Sequence, residues 1–346
     1  MRLALLLVFP LALQPFHLQQ GDPHALWAAG RRVEAIEALC QRLSSHPREE
    51  GLRRTLAERQ LEVHWYAAAL QTLELLGPEA DDLRAIALYR LARWEEALAR
   101  LSPDDPAHAL MRLEALEALG RETDAELARA RSLLGAAEPR LLGFEGRARA
   151  RKADHAGAVV AFRLALQADP LDGAALYGLG RSLIALGERE EGLQTLERHR
   201  ALTPLLDQLD FARRSVDLAP MHAPNLAALG DAERALGRVD QAKALYERAL
   251  ALAAGAESVP IALRHARLLD EDRHDLDGAV RALENAAARF PDARLYVRAG
   301  DLLMQADRPI EAVQRFLKAG ELRPSDPAIA ARIEAARAAY RRDPGQ

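Results

Sequence analysis

Side chains suited to chemistry in this sequence include pairs of adjacent acids, ten scattered histidines, and three arginines close to one tyrosine. Acid–base catalysis needs two titratable groups held in reach of one substrate, and Glu49-Glu50, Asp81-Asp82 and Asp104-Asp105 are the obvious candidates. All three pairs fall where helices begin, and a carboxylate there is favoured by the helix dipole without any catalytic role. The histidines form no His-Glu-x-x-His frame, which is the helical spacing a zinc hydrolase needs. No serine sits in a Gly-x-Ser-x-Gly elbow. His64-Trp65-Tyr66 is the densest cluster. On a helix its three side chains point in different directions, which suits core and surface roles better than a site. We therefore expect no enzyme, no metal and no cofactor. The arginines Arg147, Arg151 and Arg181 remain. A planar guanidinium grips a carboxylate through two hydrogen bonds, and Tyr177 is an amphipathic anchor near them.

The elements that carry these residues repeat. Gly146 and Gly180 are 34 residues apart, as are Ala158 and Gly192, and Pro170 and Pro204. A period of this length marks a repeat array. In residues 139–172 a first helix holds Leu142, Glu145, Gly146 and Arg149, and a polar turn follows at 152–155. A second helix carries Ala158, Phe162 and Ala165 on one face. Gly146 and Ala158 are small where two helix axes approach, Phe162 fills the space beyond them, and Pro170 ends the unit. Gly178-x-Gly180 lies inside a predicted helix and reads as packing, not as a phosphate loop. The pattern resembles the tetratricopeptide repeat, a helix hairpin with Gly, Ala, an aromatic, Ala and Pro at these separations.

The resemblance implies where the chemistry sits. In such arrays first helices line a concave groove, and residues one and five positions after the glycine face it. Those places hold Arg147 and Arg151, Arg181 and Ala185, Asp231 and Ala235, Leu268 and Asp272, then Asp301 and Gln305. Tyr177 shares the surface, and Glu114 and Glu117 take comparable places in a shorter unit. The groove is then basic in its middle and acidic at its ends, and its expected partner is a protein or peptide, acidic or offering its C-terminus. The competing reading pairs the arginines with neighbouring acids on a solvated face. Clamps for chaperone tails use repeated Lys and Asn, and the asparagines here are Asn225 and Asn285 alone, so that subtype is not expected.

The second-helix small residue runs Ala35, Ala69, Ala97, Ala125, Ala158, Gly192, Ala242, Ala279 and Ala312, implying nine hairpins. Turn glycines Gly30, Gly120, Gly187 and Gly237 suit helix C-termini. Two units of 28 residues near Ala97 and Ala125 imply shorter helices or tighter turns. Between Gly192 and Ala242 lie 16 surplus residues, 205–220, read as an extra helix or an irregular linker. After Pro324, Ile329, Ile333, Ala336 and Tyr340 form the stripe of a capping helix, with the chain expected to end there. The predicted fold is all-α: a right-handed α-solenoid of about nine such hairpins with a C-terminal cap. Its segments are a leader at 1–21, an N-terminal block at 22–206, the insertion at 207–222, a C-terminal block at 223–326, and a capping helix and tail at 327–346.

Composition agrees, at 49% apolar, 5% aromatic and 28% charged. A net charge of −4 offers no strong pull on nucleic acid or anionic lipid. The single cysteine, Cys40, allows no intrachain disulfide and is expected in the core. The apolar run 3–13 is too short to span a bilayer but suits a secretory signal peptide. The expectation is a periplasmic or secreted scaffold or assembly adaptor of a bacterial envelope, with no integral membrane span and no small-molecule substrate. The alternatives are a cytoplasmic regulatory module, or an enzyme with a site near 205–220.

Overall fold

The computed structural model describes residues 21–135 and 138–342. The apolar run 3–13, and with it the signal peptide, lies outside them. Among the described residues the chain forms nineteen α-helices and two short 3-10 turns, with no strand. Eighteen helices pair into nine consecutive hairpins. They are α1 (Pro23–Ala28) with α2 (Arg32–Ser45), α3 (Glu50–Glu62) with α4 (Tyr66–Leu73), α5 (Asp81–Arg90) with α6 (Trp94–Leu98), and α7 (Ala109–Ala118) with α8 (Asp124–Leu134). Then come α9 (Arg140–Arg151) with α10 (His155–Ala168), α11 (Gly173–Ala185) with α12 (Arg189–Leu218), and α13 (Ala223–Ala235) with α14 (Val239–Leu252). The last are α15 (Ser258–Glu271) with α16 (Leu276–Arg289) and α17 (Ala293–Gln305) with α18 (Pro309–Leu322), closed by α19 (Pro327–Arg342). The molecule is an all-α repeat solenoid.

Every hairpin reverses through one residue of positive φ. The four glycines expected there take it, at 76° for Gly30, 67° for Gly120, 89° for Gly187 and 75° for Gly237. The other five turns force it on His64, Ala92, Ala153, His274 and Asp307, with φ from 52° to 64°. An L-residue there costs about 1–2 kcal/mol, so packing of the two helices, not local preference, sets the turn. At Gly187 the closing bonds run from Gly187 N to Ile184 O and from Glu188 N to Leu183 O, both 3.0 Å.

Small residues set the crossings. A Cβ added at Gly146 would lie 2.6 Å from the Phe162 ring, and one at Gly230 would lie 2.9 Å from Tyr246. At Gly180 it would meet Leu196 at 2.8 Å and the Gly192 carbonyl at 3.0 Å, so here two backbones touch. Gly180→Leu is expected to cost about 1–3 kcal/mol by overpacking. In a solenoid the damage should stay near α11 and α12. Amide exchange that speeds up evenly from α1 to α19 would contradict this.

Two departures from expectation have physical causes. Ala125 is exposed; the buried positions of α8 are Glu126, Leu127 and Ala130. The register slips because Glu126 is drawn inward by Arg112, whose Nε donates to it at 2.6 Å. Pro204 does not end a unit, and residues 205–220 contain no separate helix: α12 runs on through the proline for 30 residues. Pro204 has no N–H to donate, but Leu209 and Ala212 beyond it are buried against Leu229 and Ala232 of α13 and Leu236 just after it, and Arg213 reaches Glu233 at 3.0 Å. That burial outweighs the lost hydrogen bond. Cys40 is exposed, while its neighbour Leu39 is 3% exposed. The 28-residue units do have shorter helices, ten residues in α5 and five in α6. On α19, Ile329 and Ala336 are buried, whereas Tyr340 stays 41% exposed.

One contact has no counterpart in the repeat pattern. Leu218, at the end of α12, packs into the core of the first two hairpins with Ile36, Leu39, Leu56 and Val63. His64 Nε2 meets Asp217 at 2.9 Å, and Gly30 lies against Met221 and Pro220. The first hairpins thus return to touch the corner between α12 and α13.

Candidate functional site

From α7 onward several first helices are joined to one another by ion pairs. Glu117 of α7 accepts from Arg147 Nε and Arg151 Nη1 of α9, each at 2.8 Å. Arg151 also donates to Thr123 at 2.5 Å, and the Arg147 guanidinium lies 4.4 Å over the Phe144 ring. Asp231 of α13 meets Arg264 of α15 at 3.1 Å and accepts from the Tyr246 hydroxyl at 2.6 Å. Burial, then the neighbouring Asp231, pushes the Tyr246 phenol far above its ordinary pKa, so it stays a donor. Arg234 of α13 binds both Glu271 and Asp272, and Asp270 faces Arg298 of α17 at 3.5 Å. Asp301 of α17 accepts from Arg332 of α19 at 3.0 Å.

The residues singled out by spacing lie on first helices of their hairpins, and most form ion pairs with one another or with neighbouring side chains. Arg147 and Arg151 share the single carboxylate of Glu117, Asp231 pairs with Arg264, and Asp301 with Arg332. The acids expected at the two ends are thus countered, while Glu117 offsets one of the two charges of Arg147 and Arg151. Neighbouring acids, the competing reading, account for Arg147 and Arg151.

The ladder is interrupted at α11. Among the described residues no carboxylate lies within ion-pair reach of Arg181. Its guanidinium rests 5.6 Å over the Tyr177 ring and its Nη1 donates to the Tyr177 hydroxyl at 3.3 Å. Tyr177 is 46% exposed, with its ring 5.5 Å from that of His199 on α12. Ile184 follows on the same face, 37% exposed. Gly178 and Gly180 flank this face on its two sides, letting α11 seat closely on Phe162 of α10 and on Leu196 of α12. Spacing finds Tyr177 and Arg181. It misses Ile184 and His199, which no repeat position marks out.

The sequence alone puts His64-Trp65-Tyr66 on one helix. The structure has His64 in the turn and Tyr66 at the start of α4, and they meet, with His64 Nδ1 2.5 Å from the Tyr66 hydroxyl. Among the described residues, no three metal-ligating side chains gather, and no helix is long and apolar enough to cross a membrane.

Comparison with known proteins agrees with this geometry. Tetratricopeptide-repeat family models match residues 150–208 and 223–255. A search of curated proteins gives no match. Among solved structures, similarity extends to a thermophilic TPR protein of Thermus thermophilus, 20% identical over 57% of this chain and 98% of that one, with a TM-score of 0.32. It extends also to the MamA protein, 22% identical over 53% of this chain and 90% of that one, with a TM-score of 0.27. A third is YrrB, described as a TPR protein with an unusual peptide-binding site, 15% identical over 59% of this chain and 96% of that one, with a TM-score of 0.29. Residues 150–208 and 223–255 are thus tetratricopeptide repeats, and the left-handed turns of the other hairpins continue the same helix-hairpin pattern.

Proposed function

We propose that the protein is a scaffold that holds a peptide or helix of a protein partner against the inner face of α11. Tetratricopeptide repeats support a protein-interaction role in general. The observation that carries the specific reading is the interruption of the ion-pair ladder at Arg181 and Tyr177. A guanidinium with no carboxylate of its own can take one from a partner, and an exposed tyrosine beside it adds contact area with a polar tip. Ile184 and His199 extend that surface. An acidic side chain of the partner docks at Arg181 in this reading.

The test begins with a photo-crosslinking residue at position 177 in the native host, with position 337 as the control. The protein captured at 177 alone is then titrated against native protein and against Tyr177→Ala with Arg181→Glu. Both side chains are exposed, so folding stability should move by no more than about 0.5 kcal/mol. Affinity should fall at least tenfold, about 1.4 kcal/mol. Reversing Arg337 and Arg341 should change neither. Unchanged affinity in the α11 double variant places the binding surface elsewhere.

A further inference from the structure

The contact between the first hairpins and the α12–α13 corner encloses a cleft of roughly 540 Å³. That is within the range of small-ligand sites, about 300–1,000 Å³. Its walls come from distant parts of the chain: Arg32 on α2, Tyr66 on α4, Arg90 on α5, Val216 on α12 and Arg248 on α14. Three arginines thus converge from three different hairpins. Among the described residues none of the three has a carboxylate within ion-pair reach. Arg248 donates to the Pro220 carbonyl at 3.1 Å, and Arg32 lies 3.8 Å over the Trp27 ring. The Nε and Nη1 atoms of Arg32 are shut off from solvent without a hydrogen-bond partner among the described residues.

Two acids, Glu62 and Asp217, also line the cleft, but neither forms an ion pair with any of the three arginines. Glu62 accepts from Arg59 at 2.6 Å and Asp217 is held by His64 at 2.9 Å. Burial, only partly offset by Glu62 and Asp217 at longer range, lowers the Arg32 pKa from its ordinary value. A guanidinium in that position is destabilised until an anion comes to it.

We propose that this cleft is a binding site for a phosphate group, gripped by Arg32, Arg90 and Arg248. The count of cations favours phosphate over a carboxylate. A phosphate monoester carries about −1.5 to −2 charges and three peripheral oxygens, matching three guanidiniums, where a carboxylate offers one charge and two oxygens. Arginine is also the side chain whose planar fork suits phosphate recognition. Because the walls come from both sides of the contact, a bound phosphate ties the first three hairpins to α12 and α14. The site is separate from the inner face of α11.

The test is calorimetric titration of the full chain with inorganic phosphate, at ionic strength held constant with chloride. Saturable binding and a raised melting temperature are expected. Arg90→Gln and Arg248→Gln should each weaken binding at least tenfold, while Arg200→Gln, 78% exposed on α12, should not. Arg32→Gln removes a side chain that covers Trp27 and can disturb the first hairpin, so the other two variants decide the outcome. Amide exchange should slow on phosphate addition in residues 23–45 and 213–222 together. A phosphoserine peptide and its unphosphorylated twin form the second arm. Tighter binding of the phosphopeptide than of free phosphate identifies a phosphoprotein as the source; equal or weaker binding identifies the free anion. No saturable binding at millimolar phosphate overturns the site, as does native affinity in both Arg90→Gln and Arg248→Gln.

Discussion

Removing the Arg112 side chain, by Arg112→Ala, should destabilise the fourth hairpin by about 3–5 kcal/mol, the cost of leaving one member of a buried ion pair alone. Arg112 Nε donates to Glu126 at 2.6 Å and Nη2 at 3.2 Å, a two-pronged contact, and Nη1 reaches the Leu101 carbonyl at 2.7 Å. The two side chains are 15% and 10% exposed, so water cannot replace the lost partner. Arg129, 3.8 Å from Glu126 and 47% exposed, can swing toward the orphaned acid, which sets the expectation at the lower end of the range. Replacing both members by apolar side chains, Arg112→Met with Glu126→Leu, removes the uncompensated charge. That variant should be far closer to native than Arg112→Ala, since buried pairs are often matched by well-packed apolar residues. Urea unfolding, with amide exchange of α7 and α8, measures both. A cost below about 1 kcal/mol for Arg112→Ala would class the pair with ordinary surface bridges.

The same pair explains why one stretch of sequence misleads. A glutamate near a helix start is ordinarily a solvated residue that complements the dipole, so spacing alone puts Glu126 on the surface and Ala125 in the core. What reverses them is Arg112, fourteen residues away on another helix. Pro204 misleads for a related reason. Proline usually ends a helix, and Pro170, one period earlier, follows the end of α10 in the expected place. Whether α12 continues is decided by Leu209 and Ala212 finding α13, a tertiary fact.

By contrast, the glycine crossings were legible, because a small residue and its aromatic partner lie at a constant separation within one hairpin. So were Gly30, Gly120, Gly187 and Gly237. The other five left-handed turns were not, since His64, Ala92, Ala153, His274 and Asp307 have no preference that announces them. Spacing places Arg147, Arg151 and Arg181 on first helices, but it cannot separate the two that share Glu117 from the one without an ion-pair partner among the described residues. The contact of His64 with Asp217 joins residues 153 positions apart and leaves no periodic trace.

Phe162→Ala should cost about 3–5 kcal/mol, the range for truncating a buried phenylalanine. The ring is 0% exposed and sits between two first helices, facing Gly146 on α9 and Gly178 on α11. Cavity cost depends on how far the walls can collapse. Here two walls are bare backbone, with no side chain to swing inward, so the upper half of the range is expected. That geometry yields a sharper test in Gly146→Ala. In the native protein the new methyl would lie 2.6 Å from the ring and should destabilise. In the Phe162→Ala background the clash is gone, the methyl fills part of the cavity, and alanine gains up to about 1 kcal/mol of helix propensity over glycine. The same substitution should therefore change sign between the two backgrounds, a coupling that only residues in contact can show. Loss of protection should centre on α9 to α12, because each hairpin of a solenoid leans only on its neighbours. The inner face of α11 lies within that region, so binding at Tyr177 and Arg181 should weaken in Phe162→Ala and recover partly with Gly146→Ala. If α17 and α18 lose as much protection as α9 and α10, the array folds as one cooperative unit and the neighbour picture fails. Should Gly146→Ala destabilise equally in both backgrounds, Phe162 is not what occupies the space the glycine leaves.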